Sequence, residues 1–421
     1  MTAARDGFYS ARMSFEGLRC ATCGVPGASD TSAVCEACWG PLEASYDLDA
    51  VRRALAETPL PKRAHDLWRY RELLPVAPPT GGAPVGWTPL VRAPRLGAEL
   101  GIGDLWIKNE GASQPSLSFK DRLVAVALAK AAGLGMTVVA CSSTGNLASA
   151  LAARAAASGL RAVVLVPEGV EPAKLAAAAI HGATIVEVRG DYDRANRLSV
   201  QVADRYGWGV VNVNLRAYYT EGGKTVGYEI AEQAGGVLPA HVVVPLAGGS
   251  LLVKLEQAFR EAVAVGLATG EAPRLYGVQA AGCAPIVTAW REGREDVRPV
   301  KPSTIVHSLA VGDPADGPRA VQVLRRTGGR AEDPSDDESL AGVRKLAELE
   351  GLFVETAGGT VVAAASRLAR AGAFEDGGRV VLVVTGHGLK TAEALGGPAI
   401  AARLDGSLAA FEAFWESSPG R

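Results

Sequence analysis

The stretch Ser113-Gln-Pro-Ser-Leu-Ser-Phe-Lys-Asp-Arg122 joins a strand-like run, Leu105-Trp-Ile-Lys-Asn109, to an apolar helical run, Leu123-Val-Ala-Val-Ala-Leu-Ala129. That junction puts Lys120 at a helix N-terminus with no carboxylate before it. The helix dipole and the apolar residues that follow both disfavour an ammonium there. An amine so placed suits Schiff-base chemistry with an aldehyde. The plainer reading is a helix-start lysine paired with Asp121 and facing water.

Three more turns share this design. Val138-Val-Ala-Cys-Ser-Ser-Thr-Gly-Asn-Leu147 is an apolar run followed by a polar turn. His241-Val-Val-Val-Pro-Leu-Ala-Gly-Gly-Ser-Leu-Leu252 reads as strand, glycine loop and helix start. Val380-Val-Leu-Val-Val-Thr-Gly-His-Gly-Leu-Lys390 repeats the pattern with Thr385 at the strand tip. Further strands are expected at 137–141, 162–166, 184–188, 210–213, 275–279 and 352–355, with helices such as 173–180 and 336–349 between them. Continuous apolar runs are the mark of strands buried on both faces of a parallel sheet. Their alternation with helices predicts an α/β fold with ligands at the carboxyl ends of the strands. All four turns fall there.

Composition narrows the function. With 48% hydrophobic and 21% charged residues, the 421-residue chain reads as an ordinary globular protein with a large core. A net charge of −2 gives no pull toward nucleic acid or anionic membrane. The longest apolar stretch, Leu123 to Cys141, is interrupted by Lys130, Gly133 and Gly135, and the first residues lack an apolar signal core, so a cytoplasmic location is expected. No Gly-x-Gly-x-x-Gly follows a strand and no Gly-x4-Gly-Lys-Ser/Thr loop occurs, which argues against a dinucleotide-binding enzyme.

Cys20, Cys23, Cys35 and Cys38 form two Cys-x2-Cys knuckles, a spacing that suits four thiolates around one structural Zn2+. Cys141 and Cys283 stand alone in apolar contexts and read as inert buried thiols. Residues 1 to about 17 carry no pattern. A short helix is expected at 47–56, and the proline- and glycine-rich segment Pro75–Pro89 reads as a surface linker.

The SFKDR, SSTGN, glycine-loop and TGHGLK motifs, in that order, resemble those of the threonine synthase family. These are pyridoxal-phosphate enzymes of fold type II, the tryptophan-synthase-β-like fold. The similarity runs from about Leu18 to about Leu395 and is nearest to the zinc-ribbon-bearing actinobacterial branch. It implies two lobes with the cofactor between them: residues 1–45 as tail and zinc ribbon, 46–130 with 225–421 as the large lobe, and 131–224 as the smaller one. The resemblance assigns Lys120 as the amine that carries the cofactor, with Phe119 beside it. Ala247, Gly248, Gly249 and Ser250 would hold the cofactor phosphate, Asn146 its phenolic oxygen, and Thr385 its ring nitrogen. A lone hydroxyl cannot keep that nitrogen protonated as a carboxylate would, so a tempered electron sink is expected.

Ser142, Ser143, Thr144, Gly145 and Asn146 would bind the substrate carboxylate. Arg216 and Lys224, in Asn212-Val-Asn-Leu-Arg-Ala-Tyr-Tyr-Thr-Glu-Gly-Gly-Lys-Thr225, are the cations for the substrate's own phosphate. The implied reaction, that of a carbon–oxygen lyase acting on phosphates, turns O-phospho-L-homoserine and water into L-threonine and phosphate. The partner is a small phosphoamino acid, and a homodimer is allowed. The chain departs from the family at Gln114-Pro115-Ser116, usually Asn-Pro-Thr, at Leu251, where polar residues are frequent, and at Tyr219, where other branches carry arginine. A threonine or serine dehydratase, a cysteate-synthase-like enzyme using phosphoserine, and a non-catalytic zinc-ribbon interaction protein are the alternatives.

Overall fold

A computed structural model describes residues 14–79, 83–170, 172–190, 192–397 and 400–417. The early strands are β1 (Phe15–Cys20), β2 (Leu42–Tyr46), β3 (Leu90–Arg92), β4 (Leu105–Asn109), β5 (Val138–Ser142) and β6 (Arg161–Pro167). The later ones are β7 (Thr184–Val188), β8 (Gly209–Val210), β9 (His241–Pro245), β10 (Arg274–Val278), β11 (Ala331–Glu332) and β12 (Val380–Val384). A six-stranded sheet runs in the order β11-β10-β9-β12-β4-β3, parallel except for β3, which lies antiparallel on β4. A four-stranded parallel sheet runs β7-β6-β5-β8. The antiparallel pair β1–β2 flanks the cysteine segment.

Position in the sheet follows from composition. β9 and β12 are buried along their whole length, and their valine-rich runs form the middle of the six-stranded sheet. The carboxyl ends of β4, β12 and β9 therefore lie side by side, and the glycine loop, the Thr385 turn and the segment leading to Lys120 all leave from that edge.

Beneath this edge lies a buried ionic cluster. Arg122, fully buried, donates from Nε to Glu110 at 2.6 Å and from Nη1 and Nη2 to Glu229 at 2.5 and 2.6 Å. Lys108 Nζ reaches the same Glu229 at 2.7 Å. Two cations thus face two carboxylates, the condition under which buried charge is tolerated.

Several expectations are corrected. Segment 352–355 is not a strand: Val354 makes a single bridge to His387, and Glu355 is the N-cap of the Thr356–Arg370 helix. The strand expected at 210–213 stops at Val210 and turns. Of the patternless terminus, residues 1–13 lie outside the described residues, while Phe15 to Gly17 belong to β1. The supposed surface linker is partly core. Val76, Val85 and Thr88 are buried, and the Trp87 and Thr88 N–H groups donate to Glu229. No helix among the described residues is long and apolar enough to cross a membrane.

Candidate active site

Backbone pairing assembles the site from distant segments. Phe119 N donates to Thr385 O at 3.0 Å, His387 N donates to Leu117 O at 3.0 Å, and Glu355 N donates to Gly386 O at 3.0 Å. The Thr385–His387 turn is thus stitched on one side to the approach to Lys120 and on the other to the start of the Thr356–Arg370 helix. Lys120 opens the helix Lys120–Gly133 and is half-buried. Its Nζ donates to the Tyr219 hydroxyl at 2.8 Å and lies 4.8 Å from the centre of the Phe119 ring. Asp121 does not pair with it. That carboxyl is buried, accepts from Ser116 N at 3.0 Å and sits 3.8 Å from Arg154.

At the end of β9, Gly249 has φ +89°, and a Cβ there would lie 2.9 Å from Asp316 O, so a side chain is excluded twice over. A Cβ on Gly248 would meet nothing within 4 Å, which leaves room in front of the loop. The helix Ser250–Ala264 starts at the next residue, and its first N–H groups have no acceptor within the helix. The Ser142–Gly145 turn leads into the Asn146–Ala157 helix. Ser142 Oγ is buried there without a hydrogen-bond partner among the described residues. Pyridoxal phosphate needs an amine, donors for a dianion and a partner for its ring nitrogen. Lys120, the open glycine cradle and the Thr385 hydroxyl are groups of those kinds.

Glu355 is the site residue that motif reading missed. Its side chain is 1% exposed, accepts from Asn146 Nδ2 at 3.0 Å and from Thr385 Oγ1 at 3.1 Å, and so joins two of the expected cofactor contacts. Burial holds its carboxyl above the usual range, with the two hydrogen bonds and the charges of Lys390 and Lys120 opposing. A signal was present in the sequence. A carboxylate ends an apolar run and is followed at once by Thr-Ala-Gly-Gly, small residues that let a helix approach closely. Nothing in the sequence marks Tyr219 as the lysine's partner.

The two expected substrate-phosphate cations part company. Arg216 and Tyr219 are three residues apart on the helix Arg216–Gln233, hence neighbours on its surface. The Arg216 side chain keeps 25% exposure, and its Nη2 pairs with Asp316 Oδ2 at 2.5 Å. Asp316 N in turn donates to Gly248 O at 2.9 Å, tying this arginine to the glycine loop. Lys224 is not brought to the site. Its ammonium is wholly buried, paired with Glu221 at 2.6 Å and Glu261 at 3.0 Å, and lies 4.2 Å from the centre of the Tyr46 ring.

The sulfurs of Cys20, Cys23, Cys35 and Cys38 all lie within 4.8 Å of one another. Neighbouring pairs are 3.4 to 3.6 Å apart. That is far beyond a disulfide bond of about 2.05 Å and near the edge of about 3.8 Å implied by four Zn–S bonds of about 2.3 Å. Leu18, Cys20, Cys35 and Leu42 share a core with Leu123 and Leu128 of the Lys120 helix, and Lys130 on that helix pairs with Asp30 at 2.7 Å.

Residues 83–386 match the family model described as "Pyridoxal-phosphate dependent enzyme". The threonine synthase of Methanocaldococcus jannaschii is 37% identical over 380 residues, covering 89% of this chain and 93% of that protein. The threonine synthase of Mycobacterium leprae is 34% identical over 327 residues, covering 76% and 87%. Both identity and coverage run higher to the former than to this actinobacterial relative. Maize serine racemase superposes with a TM-score of 0.62 at 21% identity, covering 72% of this chain and 89% of that one, a likeness of fold.

Proposed function

The chain belongs to the pyridoxal-phosphate-dependent enzymes and, within them, to the threonine synthase family, and from that premise we propose that it converts O-phospho-L-homoserine and water to L-threonine and phosphate at Lys120. This reading is supported by two candidate anion places, linked to the lysine through Tyr219, Arg216 and Asp316. One is the Ala247–Ser250 cradle; the other is the exposed edge of Arg216, one helical step from the tyrosine that holds Lys120. A phosphorylated cofactor and a phosphorylated substrate need both.

Ala247, Gly248, Gly249 and Ser250 hold the cofactor phosphate through backbone N–H groups, the Ser250 hydroxyl and the helix start. Phe119 packs beside the cofactor, Asn146 donates to its phenolic oxygen, and Thr385 faces its ring nitrogen. When bound, the cofactor supplies an electron sink for charge developed at the substrate's Cα. The Lys120 amine takes the Cα proton, and from the same position it moves protons to and from Cβ while the γ-phosphate leaves and water adds at Cβ. Ser142, Ser143, Thr144 and Gly145 hold the substrate carboxylate, and Arg216 holds its phosphate. Cys20, Cys23, Cys35 and Cys38 hold a structural zinc with no open position.

The test is a substrate panel of O-phospho-L-homoserine, O-phospho-L-serine, L-threonine and L-serine. Phosphate and L-threonine should appear in equal amounts from the first alone. Deamination of free threonine or serine, or turnover of phosphoserine with phosphohomoserine ignored, would overturn the reading.

A further inference from the structure

We propose that Asp316 is a positioning residue that fixes the reach of Arg216 and so selects the length of the phosphorylated side chain the site accepts. The inference rests on the reading that Arg216 holds the substrate's phosphate. Asp316 is 2% exposed and lies between two guanidiniums. Its Oδ2 accepts from Arg216 Nη2 at 2.5 Å and its Oδ1 from Arg319 Nη1 at 3.3 Å. Arg319 lies in the first turn of the helix Gly317–Arg326, which Asp316 precedes, and its Nη2 donates to Glu43 Oε1 at 2.6 Å. Lys254 Nζ donates to the same Glu43 oxygen at 3.0 Å. The backbone of Asp316 is fixed as well. Its N–H donates to Gly248 O at 2.9 Å, Gly317 N donates to Pro314 O at 2.8 Å, and a Cβ on Gly249 would lie 2.9 Å from Asp316 O.

Two features carry this beyond a structural ion pair. The first is charge. Asp316 is shared between two arginines, so it holds Arg216 without cancelling it. A guanidinium has five N–H donors, more than one carboxylate oxygen takes. The Arg216 side chain keeps 25% exposure, which gives an oxyanion a side from which to approach. The second feature is the frame. Arg216 opens the helix Arg216–Gln233, and the hydroxyl of Tyr219, on that same helix, accepts from Lys120 Nζ at 2.8 Å. The helix therefore sets the amine end of the ligand's span, and Asp316 sets the phosphate end. A free arginine could follow phosphates over a range of distances. One already held at Nη2 offers a rigid, planar fork at a single distance, ordered before the ligand arrives. With its amino end placed at the lysine, O-phospho-L-serine, one methylene shorter, falls short of that fork, and O-phospho-L-homoserine meets it.

The experiment compares cofactor-loaded wild type, Asp316→Asn, Arg216→Ala and the double variant. It reads kcat and KM for O-phospho-L-homoserine, the dissociation constant of O-phospho-L-serine by calorimetry, and cofactor affinity by absorbance titration. Asp316→Asn should raise KM for phosphohomoserine by roughly tenfold, the size of one hydrogen bond to a charged group, with kcat changed less. Affinity for phosphoserine should hold or tighten, because a freed Arg216 follows the shorter ligand, and the preference for the longer one narrows. Cofactor affinity should stay as in wild type. In the Arg216→Ala background, Asp316→Asn should change neither constant further, as for residues that act through one another. Weakening of both ligands in step, or additive effects in the double variant, would overturn the inference and leave the Arg216 reading intact. An Arg216→Ala enzyme with unchanged KM would remove that reading and the inference with it. Should Asp316→Asn fail to load cofactor, Arg319→Gln decides by the same comparison: an unchanged preference between the two ligands contradicts the proposal.

Discussion

Single substitutions separate the roles proposed for Lys120 and Arg216. Lys120→Ala should abolish the visible absorbance of the bound cofactor and all turnover while leaving far-ultraviolet circular dichroism unchanged. Arg216 has a different signature. A hydrogen bond to a charged group contributes about 1.5–3 kcal/mol. Arg216→Ala should therefore lower kcat/KM for phosphohomoserine by roughly ten- to a hundredfold, with cofactor affinity little changed. Unaltered kinetics would place the substrate phosphate elsewhere, as would suit a dehydratase that needs no second anion site. The sequence marked Lys120, Asn146 and Thr385 because each sits in a short motif after an apolar strand. It could not separate Arg216 from Lys224. Their fates differ through residues remote in sequence: Tyr46 of β2 and Glu261 enclose Lys224, while Asp316 holds Arg216 beside the glycine loop.

Elements were legible where local sequence specifies them. β5, β6, β9 and β12 are continuous apolar runs, and each was expected within a residue or two of where it lies. β3 and β11 have three and two residues and exist because a neighbouring strand offers hydrogen bonds, which leaves no periodic trace. Segment 352–355 was misread because a helix N-cap ending in a buried acid has the same apolar content as a strand. The Pro75–Pro89 segment looked exposed by composition, yet its N–H groups find a buried acceptor in Glu229. Two elements invite tests. Gly249→Ala must place a side chain at φ +89° against Asp316 O. It should weaken cofactor binding, read by titration, far more than Gly248→Ala does. For the cysteine knuckles, metal analysis should return about one zinc per chain, and Cys23→Ser should lose it. Because the knuckles share a core with the Lys120 helix, zinc loss should also lower the thermal midpoint of the whole enzyme. A midpoint unmoved by zinc removal would show the ribbon to be energetically separate.

Two ion clusters, one partly buried around Glu43 and one fully buried around Glu229, tie distant segments of the chain together. Burial pushes the Glu43 carboxyl up, but Lys254 at 3.0 Å and Arg319 at 2.6 Å outweigh it and hold it at about 2, against an ordinary 4.5. Arg122 and Lys108 likewise outweigh burial and hold Glu229 at about 2. A carboxyl depressed on folding adds stability above its unfolded value of 4.5, and that stability is lost as the pH falls toward 2. Asp121 and Glu355, raised by burial, contribute in the opposite sense. A comparison of variants isolates the effect. The stability gap between wild type and Glu43→Gln should be full above about pH 5 and should close as the pH falls toward 2. In the deeper cluster, Arg122→Met would leave Glu110 without its cation and Glu229 with Lys108 alone, and cost about 3–5 kcal/mol, read as a lower denaturation midpoint.

Lys120, held by Tyr219 and joined to the Thr385 turn through Phe119, is the amine on which the proposed reading turns. The direct test is to reduce the cofactor-loaded protein with borohydride, digest it and map the pyridoxyl label. The label should fall on Lys120 alone. Lys108 is enclosed by Glu229, Gln233 and Thr88 O, and Lys130 is paired with Asp30. The true competitor is Lys390, a half-buried cation beside Glu355 and Asp121 that burial pushes toward the neutral amine. A label on Lys390, or on any lysine other than Lys120, would contradict the account.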